Sequence, residues 1–414
     1  MAAAGVRPLL APDPAVPARD LLLDPDAAAA RLEACLGGEA VERCERVRVN
    51  YRAGESLRVL YAVTVRGEAR PVSVRTFRDG RSARAFRLAL ESAVPAGSLP
   101  PALHDEELDA VFWVFPNDRR IRDLALFEEP RAIGDLLGRP CADVRLVTYV
   151  PETSATARCL DEDGRTLAYA KVYSGDGAER ALRLRESLPD SAGELRLPRV
   201  LAATPSTLLL EPLDGPAPLE PGAGPSALRR VGAALADLHE LPVPVSAPRF
   251  DRLDAGRLHT AAGVIALLRP ELAGSAERLA VELDSHRAAP AERAACLHGD
   301  PHLDNALVQP DGVALVDLDH VCAGPPAADL ARMLAVLTHL GALGDLPVRD
   351  ELDLSEELLA GYALKRTVPD AETLRWHVAA TLLVRHAAKS LSRFRPRAAE
   401  RLDALLARAE ELIA

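Results

Sequence analysis

The 414-residue sequence predicts an α+β protein with its strands concentrated in the first half and a mainly helical second half. Three observations carry that expectation. VRVNYRAGESLRVLYAVTVRGEARPVSVRTF, from Val47, alternates apolar and polar residues around glycine turns, as half-buried antiparallel strands do. VRLVTYVPETSATARCLDEDGRTLAYAKVY, from Val144, repeats the order of a tyrosine, a hairpin turn, and a strand ending in a basic residue. From Ser226 onward, apolar residues recur at helical spacing with one hairpin between them.

Taken in order, residues 1–40 read as a leader rich in Ala, Pro and Asp, with a short helix at Ala27 to Leu36 and little function. Prolines and acids interrupt the apolar stretch a secretory signal needs, and no run of about 18 apolar residues occurs, so the reading is cytoplasmic. Residues 41–140 form an N-terminal module ending in an amphipathic helix and the apolar strand Ala110 to Phe115, whose Phe112, Trp113 and Phe115 read as core. The segment down to Pro130 is assigned to this module too. If residues 141–215 repeat it, the module is a degenerate copy, and Arg75 stands where Lys171 stands. The Pro/Gly-rich GPAPLEPGAGP then marks a boundary before the helical residues 216–414. Its first helix carries Leu228, Val231, Leu235 and Leu238 as one buried stripe behind Ser226 as N-cap, and residues 250–290, 327–363 and 370–413 are helical as well.

Composition excludes several classes. A formal charge of -11 argues against general nucleic-acid binding, which needs a basic face to neutralise phosphates. The six cysteines never fall as C-x-x-C and read as buried thiols. Only three of the 50 basic residues are lysines, Lys171, Lys365 and Lys389, so a retained lysine invites a chemical explanation.

The hairpin in CLHGDPHLDNALVQPDGVALVDLDHV concentrates the chemistry. Two short apolar strands flank Pro310-Asp311-Gly312, where Asp-Gly would supply a positive φ. Asn305 and Asp317 then face each other across the open end as hard oxygen ligands suited to Mg²⁺. Asp300, on the loop behind His298-Gly299, reaches the same mouth and suits accepting or orienting a hydroxyl proton.

His298-Gly299-Asp300, Asn305, Val316-Asp317 and the segment Gly324 to Leu330 together resemble the kinase-like phosphotransferases of the aminoglycoside phosphotransferase and choline kinase type, over about residues 144–414. The last segment has one residue more between Pro325 and Asp329 than that pattern. The resemblance implies a protein-kinase-like bilobal fold, with a small β-rich ATP lobe at 141–215 and a helical lobe at 216–414 carrying the catalytic loop and the acceptor site. It implies Asp300 and His298 as catalytic residues, Asn305 and Asp317 as Mg²⁺ ligands, and Asp329 as support for the loop. Lys171 would pair with ATP phosphates and with a glutamate of the next helix, for which Glu186 is chosen over Glu179 by its distance from Lys171. The turn Pro151 to Thr156, with Ser154, would cover the phosphates without the glycines of a protein kinase, and the Glu211 carbonyl and Leu213 N–H would contact adenine.

The implied function is ATP- and Mg²⁺-dependent transfer of the γ-phosphoryl group to a hydroxyl of a small molecule, such as an aminoglycoside, a sugar, an amino alcohol, or a natural-product or peptide hydroxyl. A nucleotide-binding pseudokinase or scaffold is the alternative, and a metal-dependent phosphohydrolase using His302, Asp319 and His320 as further ligands is a weaker one. The implied partner is a small-molecule acceptor, with no nucleic acid and no membrane. An aminoglycoside calls for an acidic pocket, whereas Arg385, Lys389 and Arg393 give the late helix a basic face at spacing four.

Overall fold

A computed structural model of the chain describes residues 9–286 and 294–414. The start of the leader and the end of the helical stretch expected at 250–290 lie outside those residues. The leader forms α1 (Arg19–Leu23) and α2 (Pro25–Cys35), the latter begun by Pro25 and capped by the Asp24 carboxylate, which accepts from the Asp26 and Ala27 N–H groups. It is more integrated than its composition suggests. Leu22 and Leu32 are buried, the Tyr61 hydroxyl donates to the Leu22 carbonyl, and Ala11 N–H bonds the Leu268 carbonyl at 2.8 Å.

The first alternating stretch folds into β1 (Arg43–Arg52), β2 (Ser56–Val65) and β3 (Glu68–Thr76), followed by α3 (Arg81–Glu91), β4 (Ala102–Asp105) and β5 (Ala110–Val114). These strands form an antiparallel sheet in the order β1-β2-β3-β5-β4. After α4 (Pro130–Leu137), the second stretch gives β6 (Asp143–Val150), β7 (Ser154–Leu160), β8 (Thr166–Tyr173) and α5 (Gly177–Glu186). Two-residue strands β9 (Ser191–Ala192) and β10 (Leu195–Arg196) precede β11 (Val200–Ala203) and β12 (Thr207–Leu210). The second sheet runs β6-β7-β8-β12-β11, the same path as the first. Arg75 lies opposite Arg58 and Val111, as Lys171 lies opposite Thr156 and Leu208.

One assignment changes. Phe115, Ile121, Leu124, Phe127 and Ile133 pack with Tyr149, Ala157, Leu167 and Val172, so the connecting segment after β5 belongs to the core of the second sheet. The first sheet shares its core with the helical half instead: one apolar cluster runs from Val49, Leu57 and Tyr61 to Leu268 and Leu391.

That half comprises α6 (Ala227–Glu240), α7 (Ala255–Leu268), α8 (Ala273–Ser285), then β13 (Ala295–Leu297), β14 (Ala306–Gln309), β15 (Gly312–Leu315) and β16 (Cys322–Gly324). There follow α9 (Pro326–Leu343), α10 (Val348–Ala363), α11 (Ala371–Thr381), a π-helical turn at Leu382–Ala387, α12 (Ala388–Ser392), α13 (Pro396–Glu400) and α14 (Leu402–Ile413). The stripe Leu228, Val231, Leu235 and Leu238 is buried as expected, and Ser226 occupies the N-cap position without a side-chain capping bond. The hairpin β14–β15 turns through Pro310-Asp311 with no positive φ. Gly312 is required there by close approach, since a Cβ would lie 2.5 Å from the Glu194 carbonyl oxygen. No helix among the described residues is long and apolar enough to cross a membrane.

Candidate active site

The loop after β13 is built around a buried carboxylate. Asp329, in the first turn of α9, accepts the backbone N–H of His298 at 2.7 Å and of Gly299 at 3.0 Å, and lies 3.2 Å from His239 Nε2. His239 in turn meets the Tyr362 hydroxyl at 2.9 Å. The loop support expected of Asp329 is what the structure places there. Gly299 has φ +79° and passes so close to the chain after β15 that a Cβ would lie 2.0 Å from the His320 carbonyl oxygen, so only glycine fits. His298 was expected to be catalytic. Its side chain is wholly buried and its Nε2–H donates to the Val316 carbonyl at 2.9 Å, so it ties the loop to the hairpin and does not present a proton to the cleft.

At the hairpin mouth, Val316 N–H bonds the Asn305 carbonyl at 2.9 Å, holding the residue before Asp317 beside Asn305. Asp317 adopts a left-handed conformation, φ 63° and ψ 57°, which aspartate tolerates better than most side chains. Asn305 is nearly buried, and its side-chain amide makes no hydrogen bond among the described residues.

Lys171 reaches this mouth from β8. Its Nζ lies 2.6 Å from Asp317 Oδ1 and 2.7 Å from Asp319 Oδ2. Burial opposes its charge, but Asp319 and Asp317 outweigh that and hold its pKa above the ordinary lysine value. Burial likewise works against the charged form of Asp317, and Lys171 overcomes it, keeping that carboxyl below its usual range. The expected partner Glu186 is exposed at the end of α5, whose buried positions are Ala178, Leu184 and Arg185. Asp319, also bonded at 2.9 Å by the Tyr173 hydroxyl, occupies the role assigned to Glu186. The spacing Asp317-x-Asp319 was the available signal.

Asp300 is half-buried among three guanidiniums: Arg385 donates to its Oδ1, Arg332 Nε lies 3.2 Å from the same oxygen, and Arg252 Nη1 lies 3.7 Å from Oδ2. Burial would raise its pKa, and Arg385, Arg332 and Arg252 reverse this, holding the carboxyl far below the usual range. Arg385 comes from the π-helical turn, a distortion often found where a helix re-aims side chains at a site. Sequence reading missed Arg252 and Arg332.

The turn over the site is short. Strand pairing closes at Val150 and Ser154, leaving Pro151-Glu152-Thr153, so Ser154 sits half-buried in β7 and not at the tip. Glu152, at φ 66°, is buried; its carboxylate lies 2.9 Å from Arg75, 3.1 Å from Arg119 and 3.4 Å from Arg58, while its N–H donates to Asp118 at 2.9 Å. Residues 211–217, between the lobes, lie outside any helix or strand. There the Glu211 carboxylate takes two bonds from the Arg199 guanidinium, at 2.7 and 3.0 Å, and a third from the Arg199 backbone N–H at 3.2 Å, and the Leu213 backbone makes no hydrogen bond among the described residues. Among the described residues no three His, Cys, Asp or Glu side chains converge on a metal-sized point.

A lysine of the β-rich lobe thus meets two carboxylates, Asp317 and Asp319, that follow the hairpin of the helical lobe. Residues 178–363 match the model of the phosphotransferase enzyme family. A spectinomycin phosphotransferase in complex with ADP and spectinomycin aligns with TM-score 0.51 at 13% identity, covering 69% of this chain and 97% of that one. The rest of this chain therefore has no counterpart in it. A choline/ethanolamine kinase family protein from Mesorhizobium loti (18% identity, 68% and 94% covered, TM-score 0.46) and an aminoglycoside phosphotransferase from Streptomyces rimosus (24%, 63% and 98%, 0.43) are also similar. The likeness to the spectinomycin phosphotransferase is one of fold. No curated protein matches the chain in sequence.

Proposed function

We propose that the protein transfers the γ-phosphoryl group of ATP, with Mg²⁺, to a hydroxyl group of a small molecule. The observation that carries this reading is the meeting of Lys171 with Asp317 beside Asn305, a cation and a hard-oxygen set contributed by opposite lobes. A carboxylate and a free amide fit Mg²⁺ by donor chemistry, and Asn305 and Asp317 would hold it; a bound Mg²⁺ supplies charge neutralisation on the phosphates.

In the reaction the acceptor oxygen forms a bond to the γ-phosphorus, the bond from that phosphorus to the ADP oxygen breaks, and the hydroxyl proton is released. Asp300, held so firmly in its charged form, orients that hydroxyl and is a weak proton acceptor, which suits a loose transition state that needs positioning more than a strong base. Lys171 holds the nucleotide phosphates, with Asp319 fixing the ammonium between strand and hairpin. Retention of Lys171, Asp300, Asn305 and Asp317 together supports catalysis over a pseudokinase or scaffold.

The N-terminal module is, on this reading, a degenerate ATP lobe that has become a support. Its shared strand path and the register of Arg75 favour this, and Arg75 now grips Glu152 in the turn over the phosphates of the working lobe. The test is incubation of the full chain with Mg-ATP and a panel of hydroxyl compounds, read by mass spectrometry. A product carrying one added phosphoryl group supports the reading; ATP bound without any transfer supports the scaffold alternative.

A further inference from the structure

The chain carries a net charge of -11, yet the cleft beside Asp300 is lined by cations with too few anions to meet them. Asp300 alone faces Arg252, Arg332 and Arg385. One turn further along the same helix, Lys389 lies within the field of Arg385, Arg332 and Arg393, opposed by the Asp300 carboxylate. Beyond it, Arg393 is crowded by Arg48, Arg395, Arg58 and Arg385, and its guanidinium donates to a backbone oxygen, that of Val49, at 3.2 Å. Among the described residues Arg48, Lys389 and Arg393 make no ion pair. Arg48, Asn50, Arg58 and Arg393 line a crevice with Val150 and Pro151, at the edge of the turn that covers the phosphates.

Solvated surface charges would spread apart and find partners. These do neither: the side chains are half-buried, and burial with mutual repulsion pushes Lys389 down to about 6 and Arg393 down to about 10. Lys389 gives up its proton near pH 6 while no anion is present, and an anionic ligand that joins the arginines would restore its charge; guanidiniums pair with planar or tetrahedral oxyanions through two parallel bonds. Their place matters equally. These cations follow the π-helical turn and α12 from Asp300 to the first sheet, where Arg393 borders the crevice.

We infer that the phosphate acceptor is itself an anion: a hydroxylated small molecule bearing a phosphate or carboxylate group, seated by Arg385, Lys389 and Arg393 with Arg48 and Arg58 of the N-terminal module closing the far wall. The inference rests on the phosphotransferase reading and deepens it. The N-terminal module would then contribute directly to acceptor choice. Polycationic aminoglycosides are excluded by the same charges.

Two measurements on the full chain test it. In calorimetry with the protein saturated by Mg-ADP, pyrophosphate and citrate serve as the phosphate and carboxylate probes. At least one should bind the wild type and lose ten-fold or more in affinity in Lys389→Gln and in Arg393→Gln, with Mg-ADP affinity the same in all three proteins. Binding of neither probe, or binding indifferent to both substitutions, would overturn the inference. In a transfer assay, neutral polyols are compared with their phosphate and carboxylate derivatives and with an aminoglycoside. A kcat/KM at least ten-fold higher for the anionic members is expected, and a preference for the neutral or cationic members contradicts it. Failure of the wild type to bind Mg-ADP at all would instead strike the phosphotransferase reading, so the two failures are distinguishable.

Discussion

Lys171 Nζ is 2.7 Å from Asp319 Oδ2, a bond between the β-rich lobe and the helical lobe that takes the place expected for a glutamate on α5. Removing the charge of Asp319 leaves the ammonium held by Asp317 alone. Asp319→Asn should raise the KM for ATP on the order of ten-fold, the effect of losing one charge-assisted partner at a partly buried site. Glu186→Ala should leave KM and kcat at wild-type values, because that side chain is exposed. The reverse pattern in steady-state kinetics would restore Glu186 to the site.

Lys171 sits in a slot measured for a compact ammonium, 2.6 and 2.7 Å from two carboxylates. A guanidinium is larger and planar, and cannot take the same place between them. Lys171→Arg should therefore reduce kcat/KM for ATP by about 10² or more despite keeping the charge, while the melting temperature changes little. Turnover equal to wild type would mean that Lys171 is only an interlobe ion pair.

Much of the architecture was legible because it rests on local rules. Alternation announced both sheets, helical spacing announced α6, and the spacing of Asn305 and Asp317 about one turn announced that Asn305 lies beside the residue before Asp317. What escaped was long-range. Glu152 looked like a turn residue, and only the packing of two sheets shows it buried against Arg75, 77 positions away. The partner of Lys171 was sought along the next helix, but it lies 148 residues on, at Asp319, and no local spacing encodes that distance. Phe115 to Ile133 could not be assigned to a sheet because an apolar segment between two similar modules suits either core. His298 illustrates a different limit: a motif names residue types, whereas burial decides which of them touch substrate.

Asp329 gathers the His298 and Gly299 N–H groups and His239 in a space closed to water. Asp329→Ala would leave these donors buried and unpaired, each costing about 1–3 kcal/mol. A loss of about 3 kcal/mol or more in urea unfolding is expected, with turnover falling in the folded fraction as well. A loss below about 1 kcal/mol would show that the loop holds its shape without this carboxylate.

Arg75 places one nitrogen 2.9 Å from both oxygens of Glu152. If the N-terminal module steadies the turn over the phosphates, Arg75→Ala should raise the KM for ATP several-fold and increase amide hydrogen exchange at Glu152 to Ser154, leaving exchange in α6 and α9 unchanged. Unaltered exchange in the turn would confine the module to a role outside nucleotide binding.

Lys389 supplies a pH signature. Its pKa, lowered to about 6 in the fold from about 10.4 in the unfolded chain, means that between these values the unfolded state binds the extra proton, so its contribution to stability increases as pH rises through that window. Lys389→Met removes the titration. The variant's thermal stability should gain most over the wild type at pH 5 to 6, and the gap should narrow toward pH 9. A gap that is constant with pH would show that Lys389 is not desolvated among these arginines.

The central claim is phosphoryl transfer from ATP to a hydroxyl compound. It is tested most directly by incubating the full chain with Mg²⁺, ATP carrying ¹⁸O on its γ-phosphoryl group, and a small-molecule extract, then following the label by mass spectrometry beside an Asp317→Ala control. The account predicts label in a phosphorylated small molecule with an equal amount of ADP, both absent from the control. Label found only in inorganic phosphate, or no ADP formed by protein that binds Mg-ATP, would contradict it.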